Sequence, residues 1–299
     1  MRVWSSGDGG SVAQRRSWWW EAAARLSDKL QQHNAALLAG GIAMYGLLSV
    51  FPGLAAAVSL YGLFATPGEA VQQMQAFAGV LPQEAWQILS TQLQSIAAHD
   101  HGTLTVAAAL GLLIALWSAR LTMSAVMTAT NIAFETADKR SYLRQTLVSL
   151  LLTVAAIIGF IAMLLLGVVV PLLLGVLGTS RWVQGSVMVL RWLLLWGFAV
   201  LGLEMVYRYA PAREARRWRW VSWGSALAAT GWLAISGLLA IYVRTIAGYD
   251  RTYGALGGVV VLLMWFYFLS LIVILGAEIN AVLERQKRSQ RRALGRAIA

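Results

Sequence analysis

Long apolar runs separated by short charged patches set the pattern of this chain. Leu30 to Gly68 carries no formal charge, with an apolar centre from Ala35 to Phe64. Gln145 to Ser180, Trp220 to Val243 and Thr252 to Ala277 are equally charge-free. A helix that crosses the hydrocarbon core of a bilayer needs about 20 apolar residues, so each of the four runs predicts a transmembrane helix. Two further runs are interrupted. Thr103 to Phe134 is broken only by Arg120, and Trp182 to Leu203 only by Arg191, with Glu204 directly after it. Counting both, the pattern predicts an all-α, polytopic membrane bundle of six spans.

The polar stretches define the rest of the organisation. Residues 1–34 form an N-terminal segment, 35–284 the transmembrane domain and 285–299 a basic tail, expected to fray or rest on anionic headgroups. The first apolar run begins late and is longer than the apolar region of a signal peptide, about 7–15 residues, so it reads as a retained anchor. Between Ala65 and Gly102, Val71, Met74, Phe77 and Ala78 recur at helical spacing, as do Trp86, Leu89, Leu93 and Ile96. With Pro82 suited to a first helical turn, this loop predicts two short amphipathic helices on the outer face of the bundle or in the interface.

Charge orients the bundle. The N-terminal segment carries five Lys or Arg, the second-to-third connection three (Lys139, Arg140, Arg144), the fourth-to-fifth five and the tail six. The opposite connections offer only Arg181, Arg244 and Arg251. Basic residues collect in cytoplasmic loops, so both termini are expected in the cytoplasm of a bacterial inner membrane. The net charge of +11 therefore reads as orientation rather than as a nucleic-acid footprint, and no nucleic-acid partner is expected. Composition agrees: 12% of residues are charged and 59% hydrophobic, against about 25% charged in a soluble domain. The fourteen Trp suit a chain with two membrane–water interfaces.

Ionisable groups within the spans are costly and usually face the bundle interior. Arg120 falls about 26 Å along its helix from Thr103, toward the cytoplasmic side, where it either snorkels to the headgroups or serves a site. Arg191 and Glu204 lie about 20 Å apart on one helix, less than the roughly 30 Å of hydrocarbon, so at least one is held inside. Arg120 and Glu204 are expected to pair across the second and fourth spans, with Glu278 as a rival partner. Gly40, Gly41 and Gly46, and Gly254, Gly257 and Gly258, mark sites of close helix approach. Pro52 and Pro171 are expected to kink or break their helices.

Enzyme chemistry finds little support. Cys is absent, and no phosphate-binding glycine loop or paired-His zinc motif appears. His33 precedes the first span, and His99, Asp100 and His101 lack a third and fourth metal ligand. No catalytic residue, metal or cofactor is predicted.

Four stretches carry a family resemblance: AGGIAMYGLLSVFPGLAAAVSLYGLF from Ala39, LWSARLTMSAVMTATNIAFE from Leu116, YRYAPAREARRWRWVSWGSALAATGWL from Tyr207 and YGALGGVVVLLMWFYFLSLIVILGAEINAVLE from Tyr253. In content and order they resemble the YihY/BrkB family of bacterial inner-membrane proteins, over roughly Asn34 to Glu284. The resemblance implies an all-helical inner-membrane protein, and some members bear virulence or ribonuclease labels. By motif position it singles out Arg120, Asn131, Tyr207, Tyr209, Pro211, Tyr253, Gly254, Gly257, Glu278 and Asn280. Ala212 departs from the motif, which often has Asn there. Two functions remain open: a transporter or translocator whose Arg120 and Arg191 attract an anionic substrate such as a lipid headgroup, or a non-transporting scaffold for envelope assembly. A tRNA-processing ribonuclease trails them, because no carboxylate or His cluster is available to hold catalytic metals.

Overall fold

The computed structural model describes residues 25–64, 101–176, 181–213, 221–246 and 250–298. Among them are seven helices and no strand. A short α1 covers residues 25–32, followed by α2 (Ala35–Phe64), α3 (His101–Ala133), α4 (Tyr142–Val176), α5 (Arg181–Tyr209), α6 (Trp223–Ile246) and α7 (Asp250–Ile298). The expected loop helices between Ala65 and Gly102, including Pro82, lie outside the described residues, as do His99 and Asp100; His101 opens α3.

Six helices contain stretches long and apolar enough to cross a membrane: Ala35–Ala57, Ala109–Ala133, Tyr142–Gly167, Gly185–Tyr209, Trp223–Tyr242 and Gly257–Gln286. Each falls on one of the six expected runs. Their outward faces are greasy. Leu113, Ile158, Leu193 and Leu238 are all at least 60% exposed, which water would not tolerate over such an area but lipid does.

Each of α2 to α6 packs on its successor, and α7 returns against α2, so the six spans close into a ring; α7 also touches α3. Small side chains make the contacts. Ala35, Ala39 and Ala129 meet Ile42 and Ile274 where α2, α3 and α7 converge. Ala199, Ala228, Ala229 and Ala277 surround Val200, Leu203 and Tyr207 between α5, α6 and α7. Lipid tails are as apolar as Leu, so helices gain by approaching closely over small residues rather than by hiding large ones.

The glycines expected to mediate this approach divide. A Cβ on Gly40, Gly41 or Gly258 would meet nothing within 4 Å, and one on Gly46 would reach Phe266 at an ordinary 3.4 Å. Gly257 is buried. The tight crossing lies elsewhere: a Cβ on Gly224 of α6 would fall 2.1 Å from the carbonyl oxygen of Gly276 in α7. Neither proline breaks its helix, since α2 runs through Pro52 and α4 through Pro171. The basic tail is helical, since α7 continues to Ile298. At about 1.5 Å per residue, its 49 residues outrun any bilayer.

Candidate functional site

Cross-links between the segment entering α2, the end of α3, the end of α5, the start of α6 and the late part of α7 place all of these at one end of the bundle, the end rich in Lys and Arg. Here α3 stops in a left-handed cap. Glu135 has φ of 49°, its N–H bonds to the carbonyl of Ile132, and the N–H of Thr136 reaches back to Asn131. This paired return satisfies carbonyls that a helix end leaves open. A Glu at such a position bears a steric cost that Gly would not, and its carboxylate is put to use: it accepts from Lys29 of α1 and Arg285 of α7, each at 2.6 Å. Those two contacts, Lys29 first, hold its pKa down to about 2 from an ordinary 4.5.

Asn131 and the Tyr-Ala-Pro segment after α5 come together. Asn131 Nδ2 donates to Asp138 at 3.3 Å, and its Oδ1 accepts from the backbone N–H of Ala212 at 2.7 Å. Arg140 donates to the carbonyls of Tyr209, Ala210 and Pro211, so a cation closes the negative end of α5. The Asn contact uses the main chain of residue 212, which explains how Ala serves there without a polar side chain. Arg213 then pairs with Glu284 of α7 and lies 3.8 Å from the ring centre of Phe134.

Ser222 caps α6, accepting from the N–H of Ser225 at 3.2 Å, as N-cap serines do. Its hydroxyl donates to Glu204 of α5 at 2.6 Å and accepts from Asn280 Nδ2 at 2.9 Å. Asn280 Oδ1 takes the N–H of Gly224 at 3.0 Å, one of the open donors in the first turn of α6. The Tyr207 hydroxyl donates to the Val273 carbonyl at 2.9 Å. Glu204, Asn280 and Tyr207 thus tie α5, α6 and α7 together.

The expected Arg120–Glu204 pair does not form. The two residues sit on α3 and α5, with α4 packed between those helices. Arg120 is buried at 5% exposure and turns to α4, where Nε donates to Ser149 Oγ and Nη2 to Thr146 Oγ1, both at 3.1 Å. Its guanidinium also lies 4.6 Å from the Trp117 ring centre, an attraction that desolvation strengthens. Ser149 sits seven residues into α4 and Thr146 four, so the head group is roughly 6–10 Å along α4 from Tyr142. No carboxylate among the described residues lies within ion-pairing distance of it.

Glu278, the rival partner, faces His33 instead. Nδ1 of His33 is 2.5 Å from Glu278 Oε1, and the carboxylate side chain is only 1% exposed. Arg191 has a different task. Its Nη1 donates to the Gly167 carbonyl at 3.3 Å, the very group whose helical donor would be the missing N–H of Pro171. Of the remaining motif positions, Tyr253 and Gly254 lie in the first turn of α7.

Sequence reasoning missed His33, Glu135, Arg140, Arg213, Ser222, Gly224 and Gly276. The Ser-x-x-Ser capping pattern ending at Ser225 was readable. The others depend on which helix ends meet. Among the described residues no group of three or more His, Asp or Glu is arranged to hold a metal ion. An open groove of about 660 Å³ runs between α1, the start of α2 and Leu271 of α7, away from Arg120.

Comparison with known proteins fits this architecture. The family model "Virulence factor BrkB" matches residues 26–298. The chain is 31% identical over 265 residues to the "Putative ribonuclease-like protein YfkH" of Bacillus subtilis, covering 86% of this chain and 92% of that one. It is 27% identical over 267 residues to the "UPF0761 membrane protein Nmul_A0452" of Nitrosospira multiformis, covering 84% of this chain but 58% of that longer one. A UPF0761 membrane protein of Vibrio parahaemolyticus is 35% identical over 100 residues, 33% of this chain and 31% of its own. No solved structure matches. The chain belongs to the virulence factor BrkB family and is an integral membrane protein with six candidate spans.

Proposed function

We propose that this member of the virulence factor BrkB family is a bacterial inner-membrane carrier for an anionic amphiphile, with Arg120 as the group that receives its charged head. This reading puts both termini in the cytoplasm, which the segregation of Lys and Arg supports. The observation that carries this reading is the setting of Arg120: a buried guanidinium met by two hydroxyls and an indole face, with no carboxylate beside it among the described residues. A charge held in a low-dielectric bundle is costly unless paired. Hydroxyls relieve part of that cost and can rotate aside, so an arriving phosphate or carboxylate completes the pairing with the guanidinium fork.

Transfer of a fluorescent anionic phospholipid between leaflets of proteoliposomes tests the proposal. Arg120→Ala should reduce the protein-dependent rate by at least about tenfold, equivalent to roughly 1.4 kcal/mol of lost stabilisation, and Arg120→Lys should retain part of it. Both variants should insert and unfold near the wild-type temperature. An unchanged rate in Arg120→Ala, or no transfer of any anionic amphiphile by the wild type, overturns the reading.

One observation favours a second reading, a non-transporting scaffold: the cross-links at the basic end join α1, α3, α5, α6 and α7 into a continuous lock. A scaffold would keep its envelope phenotype in Arg120→Ala and lose it when Asn280→Ala loosens that lock.

A further inference from the structure

His33 stands between two carboxylates. Its Nδ1 is 2.5 Å from Oε1 of Glu278, and its Nε2 is 3.9 Å from Oε1 of Glu135. The two acids differ in setting. The Glu135 side chain is 45% exposed at the end of α3, whereas that of Glu278 is 1% exposed within the apolar stretch of α7. The imidazole itself is 13% exposed. We propose that His33 carries protons between the basic-end surface, at Glu135, and Glu278 inside the bundle, making His33 and Glu278 an internal proton-binding site.

The chemistry suits each member. An imidazole has two nitrogens, so it can accept a proton on one and release another from the other, and its charge change falls near neutral pH in water. A proton from a hydronium ion at the basic-end surface adds to Nε2 of an imidazole whose hydrogen sits on Nδ1, forming an N–H bond and giving an imidazolium and water. The N–H bond at Nδ1 then breaks as an O–H bond forms on Glu278, leaving a neutral imidazole and a neutral carboxylic acid. Every proton that enters at Nε2 is matched by one leaving at Nδ1. The buried end of the relay is the Glu278 side chain, 1% exposed, which among the described residues only His33 links to the more exposed Glu135.

Among the described residues, the charges nearest the relay come from α1, α7 and the segment after α5. Lys29 of α1 and Arg285 of α7 flank Glu135 and keep the outer carboxylate ionised, so it stands as a fixed anion beside the Nε2 end of His33. Arg213 after α5 is occupied by Glu284 of α7. Proton transfer to Glu278 changes the charge of the His33 contact at the turn where α1 hands over to α2, a turn held in a left-handed conformation at Asn34, φ 49°. The relay rests on the carrier reading only for its purpose, since it supplies an inward-reaching proton to which transport could be coupled. Proton binding itself needs no substrate.

The test therefore uses the full-length protein in lipid nanodiscs without any substrate. Infrared difference spectra between alkaline and acidic buffer should show the carbonyl band of a buried protonated carboxyl, absent in Glu278→Gln. In His33→Gln the band should still appear but develop at least about tenfold more slowly after a pH jump, because the group that passes the proton is gone. If the variants fail to fold, nitrogen-15 spectra of histidine-labelled wild type serve instead, and the His33 nitrogens should change protonation over the pH range in which the band grows. No band in the wild type, a band that survives in Glu278→Gln, a His33→Gln rate within twofold of wild type, or His33 nitrogens insensitive to pH would each overturn the relay. Failure of lipid transfer with an intact band would count against the carrier alone.

Discussion

A proline inside a membrane helix leaves one carbonyl without its donor, and this chain meets that debt with an arginine. Pro171 has no N–H for Gly167, and Arg191 supplies one from α5. Arg191→Leu should therefore cost about 1–3 kcal/mol, the usual penalty for an orphaned buried polar group. The same substitution in a Pro171→Ala background should cost much less, because residue 171 then donates for itself. Thermal unfolding of the four proteins in one detergent checks the coupling, and equal costs in both backgrounds would refute it. Glycine gives a second residue-scale expectation. Gly224→Ala places a methyl 2.1 Å from the Gly276 carbonyl oxygen and 2.6 Å from Asn280. It should destabilise by at least about 1–3 kcal/mol, as overpacking does, while Gly237→Ala, with nothing within 4 Å, should be neutral or slightly stabilising. That Arg191 and Arg120 lay inside spans was visible in the sequence. Their partners were not, because a carbonyl and two hydroxyls leave no charge to match.

Elements were the most legible level. Each predicted run became a helix because hydrocarbon leaves the backbone no other partner than itself. What the pattern did not show sits at the ends, where lipid no longer dictates structure: α7 carries on to Ile298, and the segment before α2 contains a short helix at residues 25–32. This α1 is strapped to the bundle through Glu135, which joins Lys29 to Arg285. The pH behaviour of that strap follows from the depressed Glu135 carboxyl, at about 2 against an ordinary 4.5. A carboxylate of lowered pKa stabilises the folded state fully above its unfolded value and loses the effect as pH falls through its folded one. The gap in unfolding temperature between wild type and Glu135→Gln should thus stay constant from about pH 8 to pH 5 and shrink below about pH 4.5. Because the pair is solvent-exposed, salt should narrow the gap as well. A gap that widened on acidification would contradict this assignment.

At the scale of the whole molecule, charge segregation and the closed ring of six spans tell one story: a bundle anchored firmly at its basic end, where capped helix termini interlock. How the ring closes was not legible. Nothing in the apolar runs distinguishes α3 beside α5 from α3 separated from it by α4, and the misplaced Arg120–Glu204 pair follows from that single gap. Once the order is known, Arg120 stands out as the buried cation of the α3–α4 contact, facing Ser149 and Thr146. The most direct measurement of its role is the thermal shift produced by an anionic phospholipid, relative to a zwitterionic one, in wild type and in Arg120→Ala. The account predicts that the anionic lipid raises the wild-type unfolding temperature in a saturable way and that Arg120→Ala loses this increment. Equal protection of both proteins, or none beyond that of the zwitterionic lipid, would contradict it.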